Sequence, residues 1–320
     1  MNTQRHRFAG ISSDASPDEA LLHLAFHGDH RTYLLVDGTL RKNVTGLFDL
    51  DVVDVPTTCL FKGELSTDVE EAAPYLVDLT LPEDQSVAGQ TAPAFHRDYF
   101  EKHWGRSTGV LVRTTASHDE LRDHFRKFTK VQCENEDGWQ FFRFWDPRIA
   151  AQYFSIIATW PERISKWFTT SGGHQLTLLI EQDNGKGVLE VSPNKRIPAS
   201  NRAVGPLTLS SYEMDVFRTD QTRRDINKIS GLLRKTFPTE LNHLSDSLLT
   251  REISHAVSVA RQAGFLRFEN LFLISAWAAF FGRHWLNNQT SAILHSDHAE
   301  DERIKALKQA MSKKETQDGP

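Results

Sequence analysis

Three histidines near the N-terminus, His23, His27 and His30, have residue types and spacing that could bind a metal. Asp29 lies among them, and His23 and His27 are one helical turn apart, a separation at which two imidazoles can share a zinc ion. No third ligand is identifiable, and in a chain with fourteen histidines such a pair arises easily by chance. The pair also lies near the polar side of a short helix. We therefore predict no metal site.

A second cluster, Arg143, Asp146 and Arg148, could bind an anion, because the guanidinium fork matches the geometry of carboxylate and phosphate groups. Asp146 followed by Pro147 is also a typical helix start, since Asp accepts the unpaired amide hydrogens and Pro has none to satisfy. We favour this second interpretation. It predicts a strand-to-helix corner that Asp146 caps and an ion pair ties together.

The remaining candidates for chemistry are few. His295 and His298 flank Asp297 in a polar region, which favours a solvated segment. The phosphate-binding loop, the dinucleotide-binding glycine motif, the Gly-x-Ser-x-Gly motif and the His-Glu-x-x-His motif are all absent. We predict no catalytic residue and no cofactor. A hydrolase or transferase with a scattered site remains the alternative, because catalytic groups need not be neighbours in sequence.

Composition limits the partners. The chain has 320 residues, 39% hydrophobic and 25% charged, a globular balance, and its net charge of -5 without long basic blocks argues against nucleic acid. Two cysteines, Cys59 and Cys133, are too few for a disulfide framework and predict reduced thiols in a cytosol. The N-terminus does not continue into the apolar stretch of an export signal. The strongest apolar run, 271–281, is too short to span a bilayer, so we expect no membrane insertion.

The first two thirds of the chain alternate between strand and helix patterns. This alternation predicts an α/β lobe over residues 1–215, with a mixed sheet covered by helices. The first helix begins at Ser16-Pro17, and a capping box at Ser117 begins another. The predicted strands and hairpin arms are 33–36, 59–61, 75–79, 109–112, 131–133, 139–145, 176–180 and 188–191. A long basic surface loop follows, over 192–205.

The last third has a helical pattern. Apolar stripes predict one helix ending at Pro238, a second ending at Gly264, and a third over 268–281 that is apolar nearly all round. A final helix over 301–311 precedes a polar tail. We predict an all-α C-terminal lobe over residues 216–320.

Four segments taken together resemble a known family, that of the type VI secretion effector adaptors, also called effector chaperones. Family members carry a strand ending in Asp, a Leu-Phe-x-Gly segment, a Pro-x-Leu-Val strand and a Phe-Arg-x-x-Asp-Pro-Arg corner, in this order. The corner is the most distinctive of the four, and it contains Arg143, Asp146, Pro147 and Arg148. The matching segments are 33–38, 60–64, 73–77 and 142–148.

This resemblance implies a function that composition cannot give. Such adaptors bind a toxic effector in the cytoplasm of a Gram-negative bacterium, keep it soluble, and help to load it onto the spike protein of the injection apparatus. They are not known as enzymes. A scaffold that binds spike components without an effector is a further alternative.

A client-binding face combines aromatic anchors with a polar rim. Seven aromatic residues crowd a short part of the helical lobe, and we predict that some of them line a groove between the lobes. The alternative, that they form the core of the helical lobe, stays open for each residue. The seven are Phe265, Phe268, Phe272, Trp277, Phe280, Phe281 and Trp285.

Overall fold

A computed structural model describes residues 1–7, 19–38, 55–61, 73–87, 91–194 and 206–315. The chain divides into two compact units, Met1–Met214 and Asp215–Pro320. Four predicted features lie outside the described residues: the Ser16-Pro17 helix start, the 62–64 part of the Leu-Phe-x-Gly segment, most of the basic loop over 192–205, and the end of the polar tail.

The first unit is built on a seven-stranded sheet, in which every neighbouring pair of strands is antiparallel. The spatial order is β1-β9-β8-β5-β2-β4-β3. The strand predicted at 59–61 begins two residues earlier than expected. The strands are β1 (Asn2–Arg7), β2 (Arg31–Asp37), β3 (Thr57–Cys59), β4 (Pro74–Asp78), β5 (Gly109–Thr114), β8 (Leu176–Gln182) and β9 (Gly187–Ser192).

A second sheet of three strands contains β6 (Lys130–Cys133), β7 (Glu136–Phe141) and β10 (Thr208–Leu209). Its order is β10-β6-β7, with β10 parallel and β7 antiparallel to β6. The predicted hairpin is present, but the polar turn predicted between its arms 131–133 and 139–145, ending in Asp137-Gly138, ends earlier. The chain reverses before β7, beside Asn135 with a φ of 64°, a conformation that Asn tolerates, and not at Asp137-Gly138.

The helices of the first unit begin largely where the sequence signals predicted. The side chain of Ser117 accepts a hydrogen bond from the amide of Glu120, which caps the third helix. Pro161 ends one helical segment and also occupies the first turn of the next. The α-helices are α1 (Glu19–Phe26), α2 (Ala94–Asp98), α3 (His118–Arg126), α4 (Pro147–Ile156) and α5 (Pro161–Phe168).

Strands β2 and β5 are buried on both faces, which explains why their sequences are continuous apolar runs. Leu34 and Val36 belong to one core cluster, together with residues of α1 and α2. Tyr33 alternates to the other face, where its hydroxyl donates to the carbonyl of Ala116. Gly109 allows β5 to approach β2 closely, because an added Cβ would lie 2.1 Å from the carbonyl oxygen of Leu35.

The second unit is helical, so the predicted fold class, an α/β N-terminal lobe followed by an all-α C-terminal lobe, is confirmed. Its third helix has the predicted bounds, and Gly264 and Gly282 adopt the positive φ typical of helix ends. In the described ranges, no helix is long and apolar enough to cross a membrane. The helices are α6 (Ser211–Thr236), whose first four residues belong to the first unit, α7 (Asp246–Gln262), α8 (Phe268–Phe281), α9 (Asn288–Leu294) and α10 (Glu300–Glu315).

Candidate functional site

Asp37, the last residue of β2, is a buried carboxylate that joins distant parts of the first unit. Its Oδ2 accepts a hydrogen bond from the indole Nε1 of Trp145 at 3.2 Å and another from the guanidinium of Arg143. Its amide donates to the carbonyl of Thr108 at 3.2 Å. The Asp that ends the first matching segment of the resemblance therefore contacts the Phe-Arg-x-x-Asp-Pro-Arg corner directly.

Asp146 forms the corner that the sequence predicted. Its Oδ1 accepts from the amide of Arg148 at 3.0 Å, which caps α4, and Pro147 lies in the first turn. The guanidinium of Arg148 turns back onto the same carboxylate, with Nε donating to Oδ1 at 2.9 Å and Nη2 to Oδ2 at 2.6 Å. The prediction of a capped corner tied by an ion pair is confirmed.

The electrostatics of this pair follow from its partial burial. Burial acts to raise the pKa of Asp146, but the hydrogen bonds and charge of Arg148 outweigh it, so the net pKa is lowered. The hydrogen bonds that Arg148 donates to Asp146 raise the pKa of Arg148, and the charges of Asp37 and Glu181 act in the same direction. Asp146 is therefore ionised at neutral pH and acts as an acceptor.

Glu181 is a third buried carboxylate in this region, and the sequence analysis missed it. Its Oε2 accepts from the amide of Gly105 at 2.9 Å and its Oε1 from the amide of Ser107 at 2.5 Å. Burial raises its pKa in spite of these donors, and the charge of Asp146 raises it further. The sequence does contain one indication of this site: Glu181 is an acidic residue in the mostly apolar strand β8, and a carboxylate buried there needs hydrogen-bond partners.

Two glycines make this arrangement possible. Gly105 and Gly185 face each other with φ values of 89° and 85°, and a Cβ added to Gly105 would lie 2.6 Å from the carbonyl oxygen of Asn184. The indole Nε1 of Trp104 donates to the carbonyl of Gly185 at 3.0 Å. Only residues without a Cβ fit here, and the close approach brings the 105–107 turn within reach of Glu181.

We call Asp37, Arg143, Trp145, Asp146, Arg148 and Glu181 together the polar corner. Each of its three carboxylates already accepts at least two hydrogen bonds from the protein. The fork of Arg148 is likewise engaged with Asp146, so the bidentate face that would bind an external anion is in use. Such an arrangement fixes the ends of strands and helices with respect to one another.

The histidine cluster borders a cavity of about 540 Å³ between α1 and the 80–87 segment. The rings of His23 and His27 lie 4.9 Å apart, and the guanidinium of Arg113 donates to the carbonyl of His27 at 2.5 Å. Burial lowers the pKa of His30, as do the charges of Arg113 and His27. Among the described residues, no group of three or more histidine, cysteine or acidic side chains has a geometry that could hold a metal ion.

The other sequence candidates fall into two groups. His295, Asp297 and His298 are exposed between α9 and α10, as a solvated segment should be. Cys59 and Cys133 are not joined by a disulfide.

The seven aromatics of the helical unit do not share one environment. Phe265, Trp277 and Trp285 are buried in its core, so their side chains are not accessible to a partner in this structure. Phe268, Phe272 and Phe281 pack against this core and are partly buried. Phe280 is 41% exposed, with its ring 5.1 Å from that of Phe237 in an edge-to-face arrangement. For the three buried residues, packing within the unit is therefore the better interpretation.

Exposed aromatics also occur in the first unit, where the sequence analysis proposed none. Trp139 and Phe141 on β7 and Tyr212 at the start of α6 are more than half exposed. The available signal was the alternation of Trp139 and Phe141 around Gln140, which places two large apolar side chains on one face of a strand.

A family model described as "Domain of unknown function (DUF4123)" matches residues 32–165. This family is associated with type VI secretion effector adaptors. The match includes all four segments on which the resemblance rests and every residue of the polar corner except Glu181. No curated protein and no solved structure matches the chain.

Proposed function

We propose that this protein is a cytoplasmic adaptor that binds a type VI secretion effector, keeps it soluble and helps to load it onto the spike protein. The observation that carries the proposal is the family match over residues 32–165, a region associated with effector adaptors. On this proposal the protein forms no covalent intermediate and catalyses no reaction. Its partners are proteins.

The interactions within the polar corner support a structural role for Asp37 and Asp146. A general base or nucleophile needs a lone pair that can reach the substrate, and its pKa is usually tuned towards the working pH. Asp146 has a lowered pKa and is held by Arg148. Asp37 accepts from Trp145 and Arg143. These interactions suit carboxylates that hold a binding surface in shape.

The helical unit supplies one candidate contact for the client. Phe280 combines a large apolar ring with an exposed face, and interfaces are enriched in such aromatic anchors. Trp277 is on the same helix but is only 8% exposed. The two residues therefore make a matched pair, in which one substitution tests binding and the other tests packing.

The first experiment starts from the genes beside this one. We expect a gene for a spike protein and a gene for a toxin in the immediate neighbourhood. The toxin is then produced with and without this chain, and its soluble fraction and its co-purification with the chain are measured. An adaptor increases both. A spike partner without any toxin partner would favour the scaffold alternative, and turnover of a small substrate by the purified chain would favour the enzyme alternative.

The second experiment locates the contact. Phe280→Ala should weaken toxin co-purification and leave the thermal transition of the protein nearly unchanged. Trp277→Ala should destabilise the protein by about 3–5 kcal/mol, the usual result of truncating a buried Trp. Lys305→Ala, an exposed change on α10, is the control and should alter neither quantity. Unchanged binding by Phe280→Ala would remove this residue from the contact surface.

A further inference from the structure

The outer edge of β7 is an exposed strand edge that carries aromatic side chains. The small sheet has the order β10-β6-β7, and within the described ranges no strand pairs with the outer side of β7. Trp139 is 55% exposed and Phe141 is 61% exposed. Because they are two residues apart on a strand, their side chains lie on the same face of the sheet.

The pairing of β7 with β6 shows which main-chain groups point outward. The amide of Phe142 donates to the carbonyl of Thr129 at 3.1 Å, so Phe142 faces β6. Main-chain groups alternate in direction along an antiparallel strand. Gln140 therefore also faces β6, and the N–H and C=O groups of Trp139 and Phe141 point away from the sheet.

The pairing of β6 with the chain beside β10 shows independently that the main-chain groups of Trp139 point outward. Gln132 is opposite Trp139 in the ladder, and its amide donates to the carbonyl of Leu207, beside β10, at 3.1 Å. A residue that points towards β10 forms no ladder bonds to β7. Its opposite residue, Trp139, therefore has its main-chain groups on the outer edge.

Of the two exposed rings, that of Phe141 is held in position by neighbouring side chains. The ring of Phe61 lies 5.3 Å from that of Phe141, and the Nζ of Lys130 lies 5.2 Å from the centre of the Phe141 ring. A side chain fixed in this way loses little conformational entropy when a partner binds. Main-chain groups that no described strand pairs with, beside a preorganised aromatic ring, are the features used in binding by strand addition.

We propose that the outer edge of β7 pairs with an extended segment of the effector, whose main chain continues the small sheet and whose apolar side chains pack on Trp139 and Phe141. This inference rests on the proposed function and adds the site and the conformation of the client. The exposed Asp137 lies near the N-terminal end of β7, and the exposed Lys130 lies opposite Phe141 at the other end. The matching client segment carries a basic residue near Asp137 and an acidic residue near Lys130.

The size of the edge favours a client over a second copy of this chain. The six residues of β7 extend over about 20 Å, and the ladder is interrupted between Gln132 and Cys133, so its regular part is shorter still. A contact of this length buries on the order of a few hundred Å², whereas a stable dimer needs about 1,200–2,000 Å². A client that already contacts the protein at another surface needs little additional affinity here, because the pairing of its strand with β7 is then an intramolecular step.

The test separates the main-chain contribution from the side-chain contribution at one residue. Phe141→Ala removes the ring, and Phe141→Pro removes the ring and the outward N–H while sparing the ladder to β6. We expect Phe141→Ala to weaken toxin binding about 10-fold and Phe141→Pro to weaken it at least a further ~5-fold. Tyr212→Ala, which removes an equally exposed aromatic, should bind as the unchanged protein does. Thermal transitions of all variants confirm that they remain folded.

Hydrogen exchange of the complex gives the second measurement. The amides of Trp139 and Phe141 should exchange quickly in the protein alone and at least ~10-fold more slowly with toxin bound, while that of Gln140 is slow in both. If the unchanged protein binds no toxin, the proposed function and this inference both fail. If toxin binds but the two amides stay unprotected and Phe141→Pro binds as Phe141→Ala does, only this inference is overturned. Protection of these amides in a dimer without toxin would also overturn it.

Discussion

Replacement of Asp37 tests whether the polar corner stabilises the first unit as its geometry implies. In Asp37→Ala, the buried indole N–H of Trp145 loses its acceptor, which costs about 1–3 kcal/mol. Arg143 also loses its partner, but its side chain is 45% exposed, so water replaces much of that interaction and the loss is at most ~1 kcal/mol. Together the two losses destabilise the protein by about 1–4 kcal/mol.

Asp37→Asn separates the two contributions. The amide oxygen of Asn can still accept from Trp145, so only the charge interaction with Arg143 is removed, and the expected loss is about 0.5–1 kcal/mol. Asp98→Ala is the control, because Asp98 forms an exposed ion pair with Lys102 at 2.7 Å and should contribute less than ~0.5 kcal/mol.

The assay is thermal or urea unfolding of the purified protein, followed by a signal from the first unit. For a unit of this size each kcal/mol shifts Tm by about 2–4 °C, so Asp37→Ala should lower Tm by roughly 2–16 °C and Asp37→Asn by roughly 1–4 °C. If Asn were as destabilising as Ala, the charge and not the Trp145 bond would be the main contribution. If neither variant exceeded the Asp98→Ala control, the reasoning about the corner would be wrong.

Three further predictions concern other parts of the first unit. Asp146→Asn should lower the free energy of unfolding by about 1–2 kcal/mol at neutral pH, because the ion pair with Arg148 is lost and the helix cap is weaker. The difference in stability between the variant and the unchanged protein should shrink as pH falls through the lowered pKa of Asp146. Unfolding measured across pH 2–7 tests this. Burial lowers the pKa of His124 to about 4 in the folded protein, so as pH falls the unfolded chain binds a proton at this residue before the folded protein does. The free energy of unfolding should therefore fall by up to about 3 kcal/mol between about pH 6.5 and pH 4. In a His124→Gln variant, the free energy of unfolding should depend less on pH over the same range. Gly105→Ala should destabilise the protein by about 1–3 kcal/mol or more, because Ala is strained at a φ of 89° and its Cβ would contact the facing turn at Asn184. A loss below ~0.5 kcal/mol in urea unfolding would contradict this.

The sequence predicted those parts of the fold that depend on local signals. The Asp146-Pro147 helix start and the Ser117 cap are confirmed, because a cap is decided by a few neighbouring residues. The third helix of the second unit, 268–281, was predicted to the residue, because its apolar run ends at a glycine. The turn before β7 ends earlier than the predicted Asp137-Gly138, because Asn135 and the Asp137-Gly138 pair are both good turn formers and only the ladder with β6 decides between them.

Long-range features were not predictable in the same way. Glu181 and the 105–107 turn are more than 70 residues apart in sequence, and no local pattern announces that they meet. The same holds for the contact between Asp37 and Trp145, although both residues were singled out within the resemblance. Phe280 is exposed and Trp277 is buried on the same helix, and the sequence did not predict this difference. A helix that is apolar on all sides has no hydrophobic periodicity from which its buried and exposed faces could be assigned.

The central claim is that this protein binds and protects a toxin polypeptide. The most direct measurement is the soluble fraction of the toxin encoded beside it, produced in the same cells with and without this chain and followed by co-purification. The account predicts that the toxin becomes soluble and co-purifies in a defined complex only when the chain is present. A toxin that is equally soluble without the chain and forms no complex with it would contradict the account.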